Sequence, residues 1–141
     1  MIQTTRVGVE RTFDAAHCLP NYDGACARLH GHTYRVRVEV AGVVDPATQM
    51  IIDMKVLGAI VDRVLEVYDH QLLNDVAANP TAECLAYSLF HSVTEELESH
   101  LASPDPALHP FVATPGPLDP RLYSVTLWET PTSYVVVQAV E

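Results

Sequence analysis

The chain has 141 residues, is nearly half hydrophobic and carries a formal charge of −10 with only eight basic side chains. One globular domain spanning 1–141 is expected, with a core large enough to need no disulfide staples. General nucleic-acid binding is excluded, because phosphate backbones demand clustered Lys and Arg. No apolar run reaches the length of a membrane span. The first residues lack the charged, apolar and small-residue order of a signal peptide, so a cytoplasmic protein is expected. Cys18, Cys26 and Cys84 show no framework spacing, which suits reduced thiols.

The odd positions from Val7 to His17 are Val7, Val9, Arg11, Phe13, Ala15 and His17. This period-2 pattern predicts a strand with His17 at the end of its apolar face. Residues 18–29 contain Pro20, Asn21, Asp23 and Gly24 and form a returning loop. The next strand spans about 30–41, with His30, His32, Tyr34, Val36, Val38 and Val40 on one face and Thr33, Arg35, Arg37 and Glu39 on the other. Antiparallel pairing of the two strands brings His17 beside His30 and His32. A turn around Asp45-Pro46 follows.

Asp53 is positioned to cap a helix whose stripe is Leu57, Ile60, Val61, Val64, Leu65 and Tyr68, ending near Asp69-His70. Asn79 or Thr81 caps a second helix with the stripe Ala82, Leu85, Ala86, Leu89, Val93 and Leu97. Residues 100–120 hold six of the ten prolines and read as a long loop. Tyr123, Val125, Leu127 and Glu129 alternate in a third strand. Tyr134 to Val140 is nearly continuous in apolar residues and is expected to be a strand buried on both sides. The order ββααββ is an α+β pattern in which two helices cover one face of a four-stranded antiparallel sheet. Its bare edges and uncovered surface invite closure with other subunits.

The chemistry concentrates in Phe13–Tyr34. His30 and His32 leave the same face of a strand with α-carbons about 6.5–7 Å apart, so both imidazoles can reach one ion at about 2.0–2.1 Å. His17 supplies a third nitrogen, although alone it reads as a structural histidine. Three neutral ligands with an open fourth position match a catalytic zinc site. Cys26, four residues before His30, is a base or nucleophile beside the metal, or else a fourth ligand closing a structural site. Asp69 can orient and stabilise the His70 ring as a proton shuttle; alone, the pair reads as an ordinary helix end. Glu129 is either a solvent-facing strand end or a carboxylate placed to accept N–H donors from a heterocycle. Cys18 and Cys84 read as small hydrophobes, and His91, His100 and His109 as exposed residues.

Phe13-Asp14-Ala15-Ala16-His17, Cys26 through Tyr34, Asp45-Pro46 through Asp53, Asp69-His70 through Asn74-Asp75, Asn79-Pro80-Thr81 with Glu83, and Trp128-Glu129-Thr130 together resemble the 6-pyruvoyltetrahydropterin synthase / 6-carboxytetrahydropterin synthase family. The resemblance covers nearly the whole chain outside 100–120. It implies the tunnelling fold (T-fold), in which such subunits assemble into barrels, commonly hexamers. It implies Zn²⁺ held by His17, His30 and His32, and 7,8-dihydroneopterin triphosphate as substrate. It further implies Cys26 as general base, Asp69 and His70 as a second proton relay, and Glu129 as anchor of the pterin ring. The spacing Cys-Ala-Arg-Leu-His-Gly-His resembles the bacterial carboxy-forming branch, which releases acetaldehyde and feeds 7-deazapurine and queuosine synthesis. The pyruvoyl-forming branch is the nearest alternative, and a non-catalytic zinc-stabilised oligomer binding a pterin- or purine-like ligand is a third. Gln49 departs from the family by standing where Gly is frequent, and the proline-rich loop is longer than in compact members. Low basicity leaves Arg28 as the candidate for the triphosphate.

Overall fold

The computed structural model describes residues 4–105 and 120–140. Five strands and two helices follow in the order β1 (Thr5–His17), β2 (His30–Gly42), α1 (Met54–Leu65), β3 (Gln71–Leu72), α2 (Ala82–Ala102), β4 (Arg121–Thr130) and β5 (Ser133–Gln138). They form one mixed sheet in the order β3-β1-β2-β4-β5. The four long strands are those expected, three from alternation and β5 from its apolar run. The fifth, β3, is a two-residue strand parallel to β1, pairing Gln71 with Ala15 and Leu72 with Ala16. It is too short to leave a periodic signal.

The β1/β2 ladder is unbroken from Thr5↔Gly42 to His17↔His30. Its register puts Phe13, Ala15 and His17 on the face that carries Tyr34, Val36, Val38 and Val40, and all of these are buried. Phe13 and Tyr34 stack with centroids 4.9 Å apart. Both helices cover this face: α1 packs on β1, α2 on β4 and β5, and the helices on each other.

Asp53 caps α1 through its carboxylate and the Lys55 N–H, and Thr81 caps α2 through its hydroxyl and the Cys84 N–H. Both expected stripes are buried throughout. Gly58 lies where α1 crosses β1, and a Cβ there would run into the Arg11 guanidinium, which is bound to Asp62 at 2.7 Å. Gln49 has φ 61, the left-handed backbone that glycine adopts without cost. Its own amide offsets the lack of one by donating to Pro46 O at 2.8 Å.

Four expectations are corrected. Helix α1 ends at Leu65, and residues to His70 continue as hydrogen-bonded turns. Helix α2 runs through His100 to Ala102, and the rest of the proline-rich stretch, with His109, falls almost wholly outside the described residues. His100 is 4 % exposed, not a surface histidine, because the helix extends far enough to turn it inward. Strand β5 is the sheet's edge, with Tyr134 62 % and Val136 48 % exposed. Its apolar run is covered on one face only.

Candidate metal centre and proton-relay cleft

The strand ends decide the site. His17 closes β1 and His30 opens β2 directly opposite, while His32 follows on the same face. The three rings meet edge to face with centroids 4.6–5.1 Å apart. The buried His17 Nδ1 lies 2.8 Å from the Pro80 carbonyl. His30 Nδ1 lies 2.7 Å from the Arg28 carbonyl. A carbonyl can only accept, so both Nδ1 atoms carry a proton, and in the neutral rings both Nε2 atoms present lone pairs. Those two Nε2 atoms face each other at 3.0 Å. Without a cation between them the contact is repulsive.

His32 adds a third nitrogen. Its Nε2 is buried and makes no hydrogen bond; Glu129 Oε1 lies 3.1 Å away but out of hydrogen-bond alignment. Burial holds the His32 pKa below its ordinary value, Glu129 opposes this, and the neighbouring imidazoles add to it. Burial thus favours the uncharged imidazole, whose Nε2 could serve a metal. Glu129 sits on a β-bulge, where Trp128 pairs with Tyr134 and Thr130 with Ser133, leaving Glu129 without a partner in the ladder. Bulges of this kind re-aim side chains, and here the carboxylate turns to the histidines, 3.8 Å from His17 Nε2. The ligand atoms of His17, His30, His32 and Glu129 all lie within 4.8 Å of one another. Three nitrogens, two of them with tautomers fixed from behind, plus one carboxylate, suit a borderline divalent metal. Tyr34, buried beneath, has its phenol pKa raised by burial and then by Glu129, so it stays protonated.

Cys26 lies on a short 3-10 turn, Ala25–Ala27, and is half-buried. Its sulfur is not part of the ligand cluster, whose fourth residue is Glu129. Arg28 is exposed and serves His30 through its carbonyl.

A second cluster joins Asp14, Asp69 and His70. Asp69 Oδ1 accepts the Asp14 N–H at 3.0 Å and lies 3.0 Å from His70 Nδ1. The Asp14 N–H, then His70, hold the Asp69 carboxyl below the usual carboxylate range. The His70 N–H returns to Asp14 O at 2.6 Å. His70 has φ 57, a left-handed turn that lets the chain enter β3. Sequence reasoning gave Asp14 no role; nothing local marks a strand residue that binds a segment 55 positions away. A cleft of about 610 Å³ opens where β1, β2 and β3 meet, and His32, His70, Asp14 and Thr33 all line it. Of the four clustered residues around His17, His32 alone lines it, beside Asp14 and His70.

A Synechocystis protein named 6-carboxy-5,6,7,8-tetrahydropterin synthase is 40 % identical over 93 residues, 61 % of this chain and 72 % of that protein. A Haemophilus influenzae protein of the same name is 32 % identical over 139 residues, 94 % of this chain and 98 % of that one. The structure of Caenorhabditis elegans 6-pyruvoyl tetrahydropterin synthase shares the fold with TM-score 0.74 at 24 % identity, over 99 % of this chain and 98 % of that one. The family model of 6-pyruvoyl tetrahydropterin synthase matches residues 6–140. With the strands, bulge and helix ends that assemble the site all inside that match, the chain belongs to the 6-pyruvoyl tetrahydropterin synthase family.

Proposed function

We propose that this chain is a zinc-dependent 6-carboxy-5,6,7,8-tetrahydropterin synthase acting on 7,8-dihydroneopterin triphosphate. The carrying observation is the convergence of three lone-pair nitrogens, with the Nδ1 protons of His17 and His30 tied off to Pro80 and Arg28 carbonyls. Bound among them, Zn²⁺ would polarise the oxygens of the substrate side chain. The named bacterial relatives favour the carboxy-forming outcome over the pyruvoyl-forming one.

Cys26, on the loop leading into His30, removes a proton from the substrate as general base. The Asp69–His70 pair moves a second proton from across the cleft. Its 3.0 Å contact keeps the imidazole oriented. Glu129 anchors the pterin ring through N–H donors. The overall reaction balances without an oxidant. Triphosphate departs with the electrons of its C–O bond, and the ring is reduced at the expense of the propyl substituent. Water then cleaves a carbon–carbon bond of that substituent, leaving a carboxylate on the ring and releasing acetaldehyde.

Arg28 is assigned to the triphosphate. Arg6, Arg11, Arg35, Arg37 and Arg63 are engaged with carboxylates, whereas Arg28 has no ion pair among the described residues and shares the loop of Cys26. The exposed edge strand β5 supports assembly into a homo-oligomer, a hexamer by the family resemblance. The product would enter 7-deazapurine synthesis, queuosine included, in the cytoplasm.

Mass spectrometry of products after incubating the zinc-loaded protein with 7,8-dihydroneopterin triphosphate tests the proposal. 6-Carboxytetrahydropterin with acetaldehyde is expected. A pyruvoyl product would move the protein to the sister reaction. No turnover with metal retained would leave a binding protein and end the lyase reading.

A further inference from the structure

Asn74 follows β3 on a short 3-10 turn, Leu73–Asp75, and is half-buried. Its side chain binds the main chain of Cys18 at two points. The Cys18 N–H donates to Asn74 Oδ1 at 2.9 Å, and Asn74 Nδ2–H donates to Cys18 O at 2.8 Å. A primary amide has the donor and acceptor of a peptide group, so Asn74 continues the β1/β3 pairing beyond the last backbone pair, Ala16↔Leu72. The Cys18 carbonyl belongs to the same peptide unit as the Leu19 N–H, and that N–H donates to the Cys26 carbonyl at 2.9 Å. One planar peptide therefore has Asn74 on one edge and Cys26 on the other. Rotation of that plane is soft for a loop residue but is blocked when both edges are bonded. Hydrogen bonds in such a row also polarise one another.

The row also links the two halves of the site. Asn74 lies four residues after His70, and Cys26 four before His30. The row joins the segment of one proposed proton-transfer group to the loop of the other, with the end of β1 between them.

We infer that Asn74 is a positioning residue for Cys26: its amide fixes the Cys18–Leu19 peptide, and that peptide holds the Cys26 turn at its working distance from the histidine cluster. This rests on the reading of Cys26 as general base, and it adds a residue that touches neither metal nor substrate. A shift of about 1 Å in a reacting group can cost about 100-fold in rate.

Two variants separate the halves of the clamp. Asn74→Asp keeps the acceptor for the Cys18 N–H and removes the donor to the Cys18 carbonyl, the bond that orients the plane. Asn74→Ala removes both. Three measurements are made on each variant: kcat and KM with 7,8-dihydroneopterin triphosphate, zinc content, and the pH profile of iodoacetamide alkylation at Cys26, read by peptide mass spectrometry against Cys18 and Cys84. The expected result for both variants is a kcat lowered roughly 10- to 100-fold, KM within about threefold, zinc retained, and a Cys26 alkylation profile displaced from wild type while that of Cys84 is not. Wild-type kcat and Cys26 alkylation in Asn74→Asp would overturn the inference. Loss of zinc in step with activity would also overturn it, by showing that Asn74 serves His17 through Cys18. Cys26→Ala is the control on the parent reading. If it turns over at the wild-type rate, Cys26 is not the base, whereas the alkylation profile still decides whether Asn74 holds it.

Discussion

Glu129→Gln separates the two things its carboxylate could do. The Oε1 atom lies 3.1 Å from His32 Nε2 and the side chain is 25 % exposed, so it reaches both the histidine cluster and solvent. As the pterin anchor it offers a charged acceptor to ring N–H groups, and hydrogen bonds to a charged group contribute about 1.5–3 kcal/mol. Glutamine keeps the shape but replaces one carboxylate oxygen with an NH₂ that meets those donors head on. Losing that interaction corresponds to roughly a 10- to 150-fold rise in KM. Zinc should stay, because the three Nε2 ligands and the carbonyls that fix His17 and His30 are untouched. The assay is steady-state turnover of 7,8-dihydroneopterin triphosphate, paired with zinc content after dialysis against a weak chelator. A variant that sheds zinc where wild type keeps it would refute the anchor role and make Glu129 the fourth metal ligand. Retained zinc with unchanged KM would leave it neither role.

Metal removal should destabilise the fold, since it leaves the Nε2 atoms of His17 and His30 facing each other at 3.0 Å. Zinc at about 100 times its Kd contributes about 2.7 kcal/mol, or about 5–11 °C in Tm for a chain of this size. Scanning fluorimetry with and without chelator reads the shift, and an unchanged Tm would argue against a metal at the cluster. His100 supplies a pH prediction independent of the metal. It is buried at 4 % with Nδ1 unpartnered among the described residues, and burial lowers its pKa from 6.5, opposed by Asp105 and assisted by Arg63. Below the unfolded pKa the unfolded chain binds the proton more readily than the folded one, so the contribution is complete above about pH 6.5 and is lost as pH falls towards the folded value. His100→Leu should flatten the acid side of the Tm–pH curve of the apo protein; an unaltered slope would show that His100 does not titrate on unfolding.

Much of this protein was legible locally. The alternation in 7–17 and 30–41 gave both long strands and put three histidines on one face, because side-chain direction in a strand depends only on residue parity. Asp53 was readable as a cap for a similar reason, since capping is settled within three residues; for α2 the sequence offered Asn79 or Thr81, and the structure chose Thr81. The stripes of α1 and α2 needed nothing beyond their own period. Glu129 was assigned to the correct face, but its approach to His32 depends on a bulge that exists only once β4 pairs with β5. The buried state of His100 depends on where α2 stops. The half-exposed state of β5 depends on its being last in the sheet, which a run of apolar residues does not state.

The sequence by itself determined which residue types could bind a metal and move protons, and which strand faces they share. For His30 the Nδ1 partner is the Arg28 carbonyl two residues away, but only the tertiary structure decided which nitrogen of His17 carries the proton, because its partner is the Pro80 carbonyl, 63 residues away. Only it joined Asp69 to Asp14 and Asn74 to Cys18, across 55 and 56 residues. These are bonds between side chains and the backbone of distant segments. They leave no periodic trace, since their geometry is set by where the chain returns and not by what adjoins each residue.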